Sequence, residues 1–311
     1  MRQKGKSFAA LVNRYLLHQI EIALTCIFCA TRASQPILVH SPPGPIMDVM
    51  PFTLSHVAAA IPFQRTRLVP SALVIGCMVP DFEYFLRFSP RGGFGHTLPG
   101  VFVLDLPMAL IVLWLYHVYA KEPLYSWLPE SVRRRIQLGP ARVPMRNLAQ
   151  FAMVLLSILV GIATHILWDS FTHPKFWPYR HWQFLHRTVQ LPLLGKMEYV
   201  RVIQQVSTVV GALVLLLWFL HWYRKTAPTQ PEMARYSQKN RRAALLVVCL
   251  AALAAAVFRA LQVRSFGGPL HHGSVRFAFE SAVITAIGVF SLGVVLYGVL
   301  TARTRNELQD A

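Results

Sequence analysis

The chain has little charge and, within that, very little acid: 14% of its 311 residues are Asp, Glu, Lys or Arg, and only 13 of these are acidic against 31 basic. Water-soluble domains carry about a quarter charged residues, so this composition excludes an ordinary water-facing surface. It also has few cysteines. The four (Cys26, Cys29, Cys77 and Cys249) are too few for a disulfide framework, and the CxxC at 26–29 has no βαβ pattern around it to make it a redox motif. What is abundant is apolar: 54% of residues are hydrophobic.

The apolar residues are gathered into five runs, roughly 101–120, 149–168, 200–222, 243–261 and 277–300. Each is close to the ~20 residues that cross a bilayer as a helix. None alternates with a period of two, so barrel strands are excluded. The fold class expected is all-α: a polytopic membrane bundle of about five transmembrane helices. The basic surplus does not point to nucleic acid, because Lys and Arg cluster between the runs. The 121–148 connection holds Lys121, Arg133, Arg134, Arg135, Arg142 and Arg146; the 223–242 connection holds Arg224, Lys225, Arg235, Lys239, Arg241 and Arg242. Connections 169–199 and 262–276 are leaner. Positive charge is retained on the cytoplasmic side, which puts 121–148, 223–242 and the C-terminus inside, and 51–100, 169–199 and 262–276 outside.

Three domains are expected: an N-terminal extension (1–46), a helical membrane domain (47–303) and a cytoplasmic tail (304–311). The extension has a basic start, a weak apolar stretch broken by His18, Gln19 and Glu21, and a Pro/Ser-rich linker, "SQPILVHSPPGP". It reads either as a signal anchor or as a mis-assigned start, with translation beginning at Met47 or Met50. The second is favoured, since the stretch carries an acid and no clean small-residue cleavage site. Between it and the first span, residues 71–88 ("SALVIGCMVPDFEYFLRF") are apolar but carry Asp81 and Glu83 beside Pro80. This block is expected to be re-entrant or surface-seated rather than a full span.

The residues that carry chemistry sit at the edges of the runs. In "THILWDSFTH" (164–173) the second apolar run ends in His165, Asp169 and His173, four residues apart and so on one helical face. The same side of the proposed topology also holds His56, Asp81 and His96. Ionisable groups at the membrane edge are costly and mark function by default. Six such groups converging on one face predict a metal site, and imidazole with carboxylate suits zinc, with manganese or iron as alternatives. Each residue also has a plain structural role open to it: His56 as a surface or capping group, Asp81 as a helix cap, His96 as a loop histidine, His165 with Asp169 as a hydrogen-bonded pair between helices. Asp105, early in the first run before Pro107, either caps a broken turn or reaches the site. His181 and His186 lie in a Trp- and Tyr-containing stretch that fits interfacial anchoring. His117 falls at the far end of its span, and His271 and His272 lack a carboxylate partner at useful spacing.

At "PFTLSHVAAAIPF", "VPDFEYF", "GHTLPGVFVLDLP" and "THILWDSFTH" the chain resembles an uncharacterised bacterial membrane-protein family, a domain of unknown function, from about Pro51 to His221. More distantly, the order His, Asp, His, HxxxD is similar to membrane-bound metal-dependent hydrolases and to zinc-dependent phospholipase C. That likeness implies His56, Asp81, His96, His165, Asp169 and His173 as ligands. It departs downstream, where His186 is followed four residues on by Gln190 instead of a glutamate, which argues against a three-zinc cluster and for one or two ions. The activity expected is a metal-dependent hydrolase of a phosphoester or lipid head group at the outer face of a bacterial cytoplasmic membrane. Asp81 or Asp169 would bridge ions or take a proton, and Arg87, Arg91 and Arg180 would meet phosphate. The partners expected are membrane lipids, not nucleic acid. A non-catalytic scaffold, or less favourably a cation transporter, are the alternatives.

Overall fold

A computed structural model of the chain describes residues 53–310 apart from 91, 140–144, 146, 174–175, 192–194, 230–237 and 267–271. The expected 1–46 extension, with Cys26 and Cys29, lies outside the described residues, as do Arg91 and His271.

Among the described residues, five helices are long and apolar enough to cross a membrane: α4 (Leu98–Trp127), α5 (Leu148–Ser170), α6 (Tyr199–Lys225), α7 (Gln238–Phe266) and α8 (His272–Asp310). They cover all five apolar runs, and the chain is a multi-pass membrane protein. The 23 residues of α5 extend about 34 Å at 1.5 Å per residue, enough for a ~30 Å hydrocarbon core. Its start is fixed by Asn147, whose side chain accepts from the Gln150 amide at 2.9 Å and satisfies one of the helix's unpaired N–H groups. Along α6 and α7, Leu213, Leu217, Leu246, Leu250 and Leu253 are exposed. In water such a surface would be untenable; in lipid it costs nothing.

The block before α4 is helical but broken. It comprises α1 (Thr53–Arg65), wound as a narrow 3-10 helix, α2 (Pro70–Gly76) and α3 (Phe82–Arg87), with a short turn Val79–Asp81 between the last two. The seven residues of α2 are about 10 Å long, so 71–88 forms no span. Pro80 explains the break, since it lacks the N–H that would continue the helix. α3 ends where Phe88 turns left-handed (φ 46°), and the Arg259 guanidinium of α7 donates to the Phe88 carbonyl at 3.1 Å.

α2 lies backbone to backbone on α5. A Cβ at Gly76 would come within 2.4 Å of the Ile158 carbonyl, and one at Gly161 within 2.4 Å of the Leu73 carbonyl. Small residues permit this approach in membranes, where close packing holds helices together in place of a hydrophobic drive. Around the crossing Ile75, Val79, Leu113, Val154, Ile158 and Ile162 form the buried core. α4 is irregular at Val101–Asp105, a wide π turn directly before Pro107; the missing proline N–H releases the ladder there. One small departure from an all-helical reading is an antiparallel hairpin, β1 (Thr188–Leu191) with β2 (Gly195–Glu198), pairing Thr188 with Glu198.

Candidate metal centre

The start of α4, the end of α5, the first turns of α6 and the α1–α3 block meet at one end of the bundle. His165 and Asp169 enter from α5, one turn apart. Asp81 comes from the short turn after Pro80, and His96 from the loop before α4. All four are buried, with Asp81 at 1% exposure and His165 at 0%, although each is polar. One ligand-type atom from each lies within 4.8 Å of all the others, so this group is able to hold a metal ion.

The distances are informative. Asp169 Oδ2 lies 3.1 Å from His96 Nε2 and 3.4 Å from His165 Nε2. The two imidazole nitrogens are 3.3 Å apart. Asp81 Oδ1 lies 3.6 Å from each of them. Zinc bonds of about 2.0–2.2 Å give a tetrahedron edges of roughly 3.3–3.6 Å. Five edges of the Asp81–His96–His165–Asp169 figure thus run from 3.1 to 3.6 Å.

The tautomer of His165 supports the same chemistry. Its Nδ1 donates to the Cys77 carbonyl at 2.7 Å, and a carbonyl can only accept. In the neutral ring the proton is therefore on Nδ1, and Nε2 turns a lone pair toward carboxylate oxygens that are also acceptors. Lone pairs facing one another require a cation or an added proton between them. A backbone carbonyl fixing the far nitrogen is the usual support of a metal-binding imidazole. Asp81 Oδ2, Asp169 Oδ1 and His96 Nδ1 are buried without a hydrogen-bond partner.

The remaining sequence-predicted residues surround this core. His56 stacks on His165 with ring centroids 4.1 Å apart, and its Nε2 lies 3.4 Å from Asp169 Oδ1. Burial, then the neighbouring His165, lowers its pKa to about 4, so it is neutral at pH 7. His173 Nδ1 approaches Asp169 Oδ2 at 3.6 Å. Asp81 occupies the cap position of α3 but makes no capping bond there; its carboxylate is turned to the cluster. Arg87 is bonded to Glu83 at 2.8 Å with 60% of its side chain exposed, and Arg180 is exposed. His181 and His186 are exposed and bond to the carbonyls of Trp177 and Tyr179, and His117 pairs with Ser71 at 3.0 Å.

Three neighbours were not singled out by spacing, or were singled out only weakly. Asp105 is buried at 1% exposure and reaches the His96 loop: a Cβ on Gly95 would lie 2.8 Å from its Oδ1. Gln204, buried in the first turns of α6, places Nε2 3.4 Å from His173 Nε2; a glutamine pair, Gln204–Gln205, opening an apolar run was the available signal. Glu83 holds the loop that carries His96, accepting from the Gly93 amide at 2.8 Å and the Phe94 amide at 2.9 Å. Burial works against its charge, but the Gly93 and Gly95 amides and Arg87 outweigh it and hold the carboxyl below its ordinary pKa.

A family model described as a domain of unknown function (DUF4184) matches residues 50–299. No curated protein and no solved structure matches the chain.

Proposed function

The chain belongs to the DUF4184 family, whose chemistry is unassigned, and on that premise we propose that it is a membrane-bound, zinc-dependent hydrolase of phosphoester-containing lipids. The observation that carries this is the convergence of Asp81, His96, His165 and Asp169, whose ligand atoms all lie within 4.8 Å of one another and make five contacts of 3.1 to 3.6 Å. These four would hold one ion. Asp169 Oδ1, facing His56, offers the start of a second position. Manganese and iron accept the same donors.

An ion held there would supply hydrolytic chemistry only with a coordination position left open to water, by expansion to five ligands or by release of one carboxylate. It would then lower the pKa of that water toward about 7 and polarise the bond to be cleaved. The chain's own residues hold and shield this site. His165 is oriented by the Cys77 carbonyl and the His96 loop by Glu83, and the imidazoles of His56 and His173 lie 3.4 and 3.6 Å from the Asp169 carboxylate. Asp81 and Asp169 are the carboxylates placed to accept a proton. Arg87, Arg91 and Arg180 follow in sequence on the same side and would meet phosphate.

A lipid substrate is supported by a cavity of about 400 Å³ beside the cluster, between α5 and α6, lined by Leu167, Trp168, Phe171 and Ile203. Its wall touches the site directly: Trp168 lies edge-on to His56 at 5.8 Å. An acyl chain entering between two membrane-length helices would leave its head group at the ligands. The Lys/Arg distribution supports an orientation with the site on the outer face and the C-terminus inside. The test is a panel of phospholipids and phosphodiesters offered to the metal-loaded protein. Cleavage lost in His165→Ala and Asp169→Ala supports the proposal; cleavage equal to wild type in both variants ends it.

A second reading is a non-catalytic scaffold. The His96–Asp169 contact at 3.1 Å is within hydrogen-bond range, and the contacts out to 3.6 Å are within ion-pair range, so imidazolium–carboxylate pairs here also suffice to tie helices together. It predicts a protein purified without stoichiometric metal.

A further inference from the structure

At the other end of α4 a second site is rich in hydrogen-bond donors. A cavity of about 510 Å³ is bounded by Ser126, Trp127, Glu130, Arg133, Arg241 and Arg242. These residues come from the end of α4, the helical turn Glu130–Arg133 that follows it, and the start of α7. Trp127 is 22 residues beyond Asp105, about 33 Å along a helix, so the cavity is remote from the His/Asp cluster.

Three buried atoms on its lining residues have no hydrogen-bond partner: Trp127 Nε1, Arg133 Nε and Arg241 Nε. All three are donors. Buried donors left unmatched are costly, and here they belong to residues that line a space large enough for a ligand. The groups are also held in place. Arg241 Nη1 donates to the Ser126 carbonyl at 2.8 Å, and the Trp127 indole stacks on Tyr297 of α8 with centroids 5.6 Å apart. The acid of the lining, Glu130, is engaged by Arg134, with Nε at 2.9 Å from its Oε1. The cavity is therefore lined by three arginines, Arg133, Arg241 and Arg242, and by Trp127.

We infer that this cavity binds a phosphate group. Guanidinium forks match phosphate oxygens in geometry and charge, and the indole N–H adds a neutral donor. Basic pockets between transmembrane helices suit the head groups of anionic phospholipids; a free phosphate ion offers the same chemistry. This inference is independent of the proposed hydrolase activity.

The test uses the full chain, delipidated in neutral detergent, with three probes: phosphatidylglycerol and phosphatidylcholine in mixed micelles, and inorganic phosphate. Binding is read by native mass spectrometry and by the shift in thermal unfolding. Retention of phosphatidylglycerol over phosphatidylcholine, weakened at least ~10-fold in Arg133→Gln/Arg241→Gln, establishes a lipid head-group site. An upward shift with inorganic phosphate alone, lost in the same variant, establishes a free-phosphate site. No shift with any probe, or equal binding by the variant, overturns the inference. Because Arg241 also bonds the chain at Ser126, phenylglyoxal labelling of the wild type gives a readout that does not depend on the variant folding. Protection of Arg133 and Arg241 by the bound probe is expected, and unchanged labelling contradicts the proposal.

Discussion

His165 shows how a single side chain can define a site. One ring nitrogen is tied to the Cys77 carbonyl at 2.7 Å, so the other is committed to the cluster. Groups that orient ligands typically contribute 10–100-fold in metal affinity. Gln204→Ala, which removes the amide beside His173 and so acts on the ligand Asp169 through one further contact, is expected to weaken zinc binding by about 10-fold at most while the protein stays folded. Competition with a chelator of known affinity checks this; unchanged affinity would remove Gln204 from the support of the site. Glu83 acts one step further out, on the loop that carries His96. Glu83→Gln keeps the shape but removes the charge that accepts the Gly93 and Phe94 amides. A loss of about 1–3 kcal/mol is expected, visible as a lower midpoint of thermal unfolding in detergent.

At the scale of the element, the long helices were legible because run length and composition decide them. Each apolar run has no alternative way to satisfy its backbone in lipid. The spacing of His165, Asp169 and His173 was legible too, since α-helical geometry makes four-residue neighbours adjacent. Asp81 and His96 reach the same point through tertiary packing, which spacing does not encode; their inclusion rested on topology and on motif order. Asp105 was only weakly marked, because its approach depends on the π turn before Pro107. The hairpin of β1 and β2 was missed. Its four-residue strands are too short for a period of two to stand out. The α2–α5 crossing gives an element-scale prediction. Gly161→Leu would drive a side chain into the Leu73 carbonyl, which even a Cβ approaches to 2.4 Å. Overpacking of this kind costs about 1–3 kcal/mol or more, and it would displace α2 and the Asp81 turn behind it. Reduced folded yield together with lost metal is expected on size-exclusion chromatography and elemental analysis. A fully folded, metal-replete variant would mean the crossing does not position the site.

For the whole molecule, the two ends of α4 carry different chemistry: carboxylates and imidazoles at one, guanidinium groups at the other. If the Lys/Arg asymmetry sets orientation, these ends face opposite sides of the membrane. Single cysteines introduced at Ser131 and Gln183, in a chain with its native cysteines replaced by serine, test this in intact cells. A membrane-impermeant maleimide is expected to label position 183 and spare 131; the reverse pattern would invert the topology.

The account depends above all on a bound cation. The most direct measurement is elemental analysis of the protein purified mildly from its native membrane, beside Asp169→Asn and His165→Ala. One or two equivalents of zinc per chain, falling to near zero in both variants with folding retained, is the result predicted. A folded wild type carrying no stoichiometric transition metal, even after zinc is supplied and excess removed, would contradict it.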